Sequence, residues 1–452
     1  MESKKHLGAT DYVILIISLI VPTIIGIICR FSGGQQKTMD EYFLAGKRAS
    51  KFPVTMSICA TIISSILIIG GPSEVYRYGI SFAFLCVSCG LGMVLVSYIF
   101  VPVYFQCNVS SAYEFLELRF GKLTRLTVSF LFTIQMILFA SCVLYGPALV
   151  LNSVSDISKE WGVVLYGGIC VFYCFLGGFK AVLWTDVFQT LLMFSAVFTM
   201  HTVGLMEVGF GEAYRRVADG ERLQFLNFSL DFTQRYTIWN VIFKGLGLAL
   251  GLIGTSQLQV QRFLSLGDCN KAQSALKWSS ISVGALFWFG STVGLTLYAV
   301  FYLCDPILNT LEPDITMYDQ IVPYFIITKL HSIPGLCGLC IAGIFSGGLS
   351  TISSALNSIS MVTVVDFIQP LYPRQLTEKK LLLIGKTLSL LYGIVFICLT
   401  FVIFKANSIV NLVMVFIGIV EGPIIGVFLI GVLTRKASDK AKLISAPYEK
   451  DL

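Results

Sequence analysis

An all-α protein threaded many times through a lipid bilayer is the fold class this sequence predicts, on three observations. Only 13% of the 452 residues are charged, while 56% are hydrophobic; an ordinary soluble domain is about a quarter charged. The mean hydropathy is +0.81. The apolar residues are concentrated into eleven runs, each near or above the roughly 20 residues that cross a hydrocarbon core of about 30 Å. So little polar surface cannot wrap a soluble core, which excludes a soluble enzyme. Disordered chains and nucleic-acid binders need dense charge and are excluded with it.

The runs lie at 11–30, 53–80, 81–106, 126–152, 162–180, 184–206, 237–261, 273–303, 332–367, 381–404 and 408–434. The first follows Lys4 and Lys5, as a signal peptide would. It is too long for the apolar segment of one and lacks a small-residue cleavage site, so it reads as a membrane helix. The ten others divide into two sets of five, at 53–206 and 237–434, joined by the loop 207–236. Most of the 13 cysteines, such as Cys29, Cys59, Cys86 and Cys89, fall inside the runs, where a thiol is a small hydrophobe. With three histidines and no Cys/His metal spacing, no metal centre is expected beyond an alkali cation.

Basic residues mark the cytosolic side of a membrane protein. Assigning alternate loops to one side, together with the tail 435–452, collects 19 Lys and Arg residues there, Arg119, Arg125 and Arg262 among them, against 10 on the other. The segment 1–10 and the loop 207–236 are therefore expected outside, and the tail in the cytosol. Asn227-Phe228-Ser229 in that loop is a usable glycosylation acceptor, whereas the sequon at Asn108 falls on the cytosolic side.

Two runs contain helix breakers, and each opens one set of five. Residues 53–80 hold Gly70-Gly71-Pro72, and residues 237–261 hold Gly245, Gly247, Gly251 and Gly254. Interruptions at corresponding positions of two halves point to a transporter built from inverted repeats, with freed backbone groups near the midplane. Glycines that merely let helices pack closely are the alternative. The run 332–367 is polar in its middle, from Ser346 to Ser358, with seven hydroxyl or amide side chains. Gly347, Ser350, Thr351 and Ser354 follow i, i+3, i+4, i+7 spacing and share one helix face. A small residue beside adjacent hydroxyls suits a partly dehydrated alkali cation, and a polar packing seam is the other reading.

The ordered motifs resemble the sodium/solute symporters. They are Asp40-Glu41-Tyr42-Phe43-Leu44-Ala45-Gly46, Pro72-Ser73-Glu74-Val75-Tyr76, the stretch from Ser111-Ala112-Tyr113-Glu114 to Arg119-Phe120-Gly121, Gly177-Gly178-Phe179-Lys180 through Trp184-Thr185-Asp186, and Gln259-Val260-Gln261-Arg262-Phe263. The resemblance implies a LeuT-type core of two inverted five-helix repeats behind one N-terminal helix, about 11 transmembrane helices in all, working by alternating access with Na+ as the co-transported ion. It implies a sodium site formed by the carbonyls of Ala60 and Ile63 with Gly347, Ser350 and Thr351. A second sodium region would add Asp186, Ser353 and Ser354, unless Asp186 only caps its helix. Gly70, Gly71, Tyr145 and Gly254 are expected near the substrate.

Within the family, Ile62 and Leu67 stand where sugar carriers place polar partners. The motifs around Pro72 and Tyr145-Gly146-Pro147-Ala148 resemble the monocarboxylate, multivitamin and iodide branch, including insect-type monocarboxylate-transporter-like carriers. The implied partner is a small anionic solute in a plasma-membrane symporter. Biotin- or pantothenate-type vitamins, iodide, and a non-transporting sodium or ligand sensor are the alternatives. That branch generally carries two further helices after this core, so a truncated isoform or an incomplete gene model is expected. Glu421 stands where relatives usually have Gly, and either faces the bundle or repels an anion. Lys244 either draws a substrate carboxylate or snorkels to the interface. Arg77 is expected to pair with Glu74. No nucleophile–base set that would make an enzyme is present.

Overall fold

In the computed structural model, residues 7–31, 37–155, 157–225, 227–308, 315, 317–372, 376–404 and 409–434 are described; the tail 435–452 and residues 1–6 lie outside them. The spans are α1 (Ala9–Phe31), α2 (Lys51–Ile62), α3 (Ser65–Tyr78), α4 (Leu85–Ile99), α5 (Lys122–Val154), α6 (Lys159–Val208), α7 (Ile238–Leu248), α8 (Gln257–Ser265), α9 (Cys269–Val300), α10 (Leu336–Val362), α11 (Glu378–Ile403) and α12 (Ile409–Leu433). Among the described residues eight helices are long and apolar enough to cross a membrane, and the bent pair α2–α3 makes a ninth. Helix α6 has 50 residues, about 75 Å at 1.5 Å each, far more than one bilayer needs. It turns at Gly178 and supplies two of the expected spans. With α12 added, all eleven runs are helical.

Alpha-helices satisfy every backbone group internally, which is why the chain has no other regular structure available to it in lipid. Which face is buried follows from size and polarity. In α1 the buried residues Asp11, Leu15, Ser18, Pro22, Gly26 and Cys29 form one stripe, while Val13, Ile16, Ile17, Ile20 and Ile24 face outward. The stripe packs on α6 and α10, with Gly26 against Tyr173 and the Asp11 carboxylate accepting from the Gly338 N–H at 2.9 Å. Helix α10 is the centre of the bundle, buried along nearly its whole length and packed on α6, α5 and α1. Among the described residues all 13 cysteines are free thiols.

Both expected breaks exist, but the first is displaced. The chain bends by 55° between α2 and α3 at Ile63 (φ −90°, ψ 81°) and Ser64 (φ −74°, ψ 168°). Gly70, Gly71 and Pro72 lie inside α3, about two turns later. Their helix continues because neighbours in a membrane re-satisfy the group that Pro frees, and the glycines instead admit α9, Gly71 meeting Ser291. In the second half, α7 runs into a π-helical turn at Ala249–Thr255 and stops at Ser256 (φ −81°, ψ 128°) before α8. Gly251 and Gly254 lie in that turn, as expected of breakers.

At Gly178 the backbone takes φ 60°, ψ −163°, a region open essentially only to glycine. A Cβ there would lie 2.9 Å from the Tyr42 carbonyl oxygen. The Tyr42 hydroxyl in turn donates to the Cys174 carbonyl at 3.2 Å, so two of the sequence motifs form one joint. Gly178→Ala is expected to cost on the order of 1–3 kcal/mol, read as a lower thermal midpoint of the purified protein; an unchanged midpoint would show that the joint relaxes freely.

Candidate functional site

Ending α2 at Ile63 leaves the carbonyls of its last turn without the donors a continuous helix supplies. Helix α10 closes over them. Gly347 is so near the break that a Cβ on it would come 2.9 Å from the Ser65 nitrogen. Thr351 Oγ1 donates to the Gly347 carbonyl at 3.0 Å and reaches the Thr61 carbonyl at 3.5 Å. Ser350 Oγ lies 3.3 Å from Thr61 Oγ1. Ala60 and Ile63 are buried in the same segment. Gly347, Ser350 and Thr351 thus form one seam with the end of the broken span that carries Ala60 and Ile63. Its oxygens are hydroxyls and backbone carbonyls, the hard ligands an alkali cation takes.

Immediately beside the seam is a buried ion pair that the sequence reading missed. Arg262 and Asp186 are both fully buried, 3.3 Å apart. Arg262 also donates to Ser57 Oγ at 2.8 Å, to the Leu258 carbonyl at 2.5 Å and to Ser354 Oγ at 2.5 Å, and to Thr61 Oγ1. Ser57 Oγ donates to Asp186 Oδ2 at 2.5 Å. The expected second sodium region is therefore split: Asp186 and Ser354 meet around a guanidinium, while Ser353 points away and donates to the Ser350 carbonyl at 3.0 Å. Arg262 belongs to the core, a correction to its placement in a cytosolic loop. It sits in α8, just past the second break, so the helix end that looks like a loop margin in hydropathy lies within the protein. The polar run Gln257-Leu258-Gln259-Val260-Gln261 before it is the signal that marks a buried face.

On its other side the first break borders a cavity of about 120 Å³. Ser64, Leu67, Gly70, Gly71, Phe287 and Ile417 are among its lining residues, and among the described residues the only acidic one is Glu74. Gly70 and Gly71 line this cavity from inside α3. Tyr145 and Gly254 do not line this cavity: the Tyr145 ring packs on Phe404 with centroids 5.4 Å apart, and the Gly254 carbonyl accepts from Tyr104 at 2.6 Å. Glu74 is held by Arg235 at 2.8 Å and by the Tyr236 hydroxyl at 2.5 Å, both from the loop before α7. Arg77 does not pair with it but lies over the Tyr318 ring at 4.5 Å. Lys244 is exposed on α7, as a snorkelling lysine would be.

At the opposite end of the bundle Asp366, following α10, is bound by Arg125 at 2.6 Å, by Ser111 at 2.8 Å and by Ser129 at 3.0 Å. Arg125 also reaches Glu117 at 2.6 Å. The Ser111 motif therefore docks a short helix (Ala112–Phe120) onto α5 and α10.

Two broken spans facing an oxygen-lined seam, with a cavity between them, define a multi-pass membrane protein of the inverted-repeat carrier class. The sodium:solute symporter family model matches residues 42–446, and the chain belongs to that family. It is 36% identical to sodium-coupled monocarboxylate transporter 1 of Homo sapiens over 98% of this chain and 73% of that protein. It is 34% identical to the sodium-dependent multivitamin transporter of Oryctolagus cuniculus (96% and 68%), and 33% identical to the sodium/iodide cotransporter of Homo sapiens (95% and 66%). A Na+-coupled sialic acid symporter, solved in a substrate-bound outward-open state, superposes with a TM-score of 0.85 at 24% identity, covering 98% of this chain and 93% of the other. The fold is shared, and sodium is the co-transported ion of the family.

Removing one member of a buried ion pair leaves the other uncompensated, at a cost of about 3–5 kcal/mol. Arg262→Ala is expected to lower the thermal midpoint markedly, and Arg262→Met combined with Asp186→Asn to restore most of it. A single variant as stable as the parent, measured by thermal unfolding in detergent, would show that the pair does not hold the core.

Proposed function

We propose that the chain is a sodium-coupled secondary active symporter that imports a small organic anion, such as a monocarboxylate, by alternating access. The reading rests on the break at Ile63–Ser64, which has two sides. One is the seam of Gly347, Ser350 and Thr351, the proposed sodium site together with the Ala60 and Ile63 carbonyls. The other is the cavity, which Ser64 lines while its backbone lies against Gly347. An ion bound in the seam ties the broken span to α10 and thereby sets the cavity's shape. Because the coupling is a shared free energy, substrate must tighten sodium binding by the same factor.

An anion is favoured by the start of α3. Ser64, Ile66 and Leu67 at its N-terminus line the cavity, and a helix N-terminus attracts negative charge by about 0.3–1 kcal/mol. The carboxylate that would repel an anion, Glu74, is neutralised by Arg235. The rest of the lining is apolar, which suits a short aliphatic or aromatic acid better than a sugar. The names of the relatives add vitamins and iodide to the substrates worth testing. The second sodium region is proposed instead as the seat of Arg262, a fixed cation beside Asp186. The chain is proposed to lie in the plasma membrane with its N-terminus outside, which the distribution of basic residues supports.

Uptake of labelled lactate, nicotinate, biotin or iodide by cells expressing the chain is expected to stop when choline replaces sodium; uptake indifferent to sodium would remove the symport reading. Ser350→Ala with Thr351→Ala should raise the sodium concentration for half-maximal uptake by about tenfold or more, roughly 1.4 kcal/mol per decade. Asn227 is exposed, its Oδ1 accepting from the Ser229 N–H at 2.9 Å. Glycosidase treatment should therefore shift the mass of the expressed protein but not of Asn227→Gln; a parent insensitive to the enzyme would contradict the orientation.

A further inference from the structure

Glu421 lies on α12 with only 5% of its surface exposed. Its Oε1 accepts from Gln135 Nε2 of α5 at 2.9 Å. Its Oε2 has no hydrogen-bond partner, and neither has the Oε1 of Gln135. Oε2 faces the π turn of the second broken span, where a Cβ on Gly251 would come within 2.9 Å of it. Thr255 of the same turn is also turned toward the carboxyl, although its hydroxyl donates to the Gly251 carbonyl at 2.9 Å. Glu421 Oε2 and Gln135 Oε1 thus each lack a hydrogen-bond partner, in a place where an ionised carboxylate without a counter-charge is very costly.

No cation offsets it among the described residues. Helix α5 presents Gln135 there, and its Arg125 is committed to Asp366 and Glu117. The short helix Ala112–Phe120 brings Tyr113 near the carboxyl; its Glu114 faces Arg125, and its Arg119 donates to the Thr434 carbonyl. On α3, Glu74 is paired with Arg235. Lys244 of α7 is exposed. Buried Asp186 and Asp366 each have an arginine, and Glu421 does not.

We infer that Glu421 is a proton-binding site of the carrier, its carboxyl holding a proton on Oε2 while α12 packs against the π turn Ala249–Thr255. The proton occupies the orphaned Oε2 and removes the charge. When the broken span moves from α12 and admits water, the O–H bond breaks, the electron pair stays on the carboxylate and the proton passes to water. The site adjoins the cavity: Ile417, one helical turn before Glu421, lines it, as do Leu252 and Ile253 beside Gly251. Only the proton's part in the transport cycle rests on the symport reading; the site itself stands on the packing.

The test needs no substrate. The infrared spectrum of the purified protein in lipid nanodiscs at neutral pH should contain a carboxylic-acid C=O stretch that E421Q lacks. A wild-type spectrum without that band, or a band that persists in E421Q, would overturn the inference. A group protonated when folded and ionised when unfolded makes stability fall as pH rises, since the native state binds the extra proton. From about pH 5.5 to about pH 8.5 the wild-type thermal midpoint should drop by several degrees more than that of E421Q, an amide that mimics the neutral acid. Parallel falls would also overturn it. Should E421Q fail to fold, Glu421→Gly takes its place in the same comparison, and a band that it retains would overturn the inference. Sodium-dependent lactate uptake that slows with rising pH in the wild type and is flat in E421Q would extend the site to transport.

Discussion

A backbone inside a bilayer has to find its hydrogen bonds within the protein, and this constraint organises the whole molecule. Wherever a span is broken, something must stand against the freed groups. At Ile63–Ser64 that is the hydroxyl face of α10; at Ser256 it is the side of α4 and the polar residues that open α8. The irregular segments are confined to the interior by this requirement. They are also the places where an ion can replace a missing donor or acceptor at low cost. Structural necessity and the means of binding have the same origin.

Two of the buried arginines extend the same logic. Arg262 stands just past one break and gathers residues of α2, α6 and α10 around it; Arg125 does the corresponding work at the far end of α10, joining it to α5 and the short helix Ala112–Phe120. Neither pair is a general source of stability, since well-packed apolar side chains often do as well. What they fix is relative position: each guanidinium accepts a single arrangement of several partners. The seam and the cavity lie against this fixed frame.

Much of this was legible in the sequence, and the failures have identifiable physical causes. Every apolar run is helical, because in lipid the length of a run and the absence of charge leave no other solution. The stripe of Gly347, Ser350 and Thr351 was legible from helical spacing alone. The first break was misplaced because Gly70-Gly71-Pro72 carries the strongest local breaking tendency, yet its neighbours repair it, while Ile63 and Ser64 break under tertiary packing that no local propensity records. Arg262 was read as a loop residue because a basic side chain at the edge of an apolar run ordinarily is one. Tyr145 and Gly254 lie in the expected helices but on other faces. Arg77 shows the same limit at shorter range, since adjacency to Glu74 did not decide which cation that carboxylate would choose.

Arg262 carries one consequence of another kind. Sodium is a visitor that must leave on every turnover, whereas a guanidinium is tethered to the chain and cannot be washed away. With sodium in the proposed seam, a permanent cation would stand next to the exchangeable one, and the charge that maintains the architecture would be separate from the charge that is delivered. A carrier built in this way can be emptied of its ion without losing the scaffold to which the next ion returns.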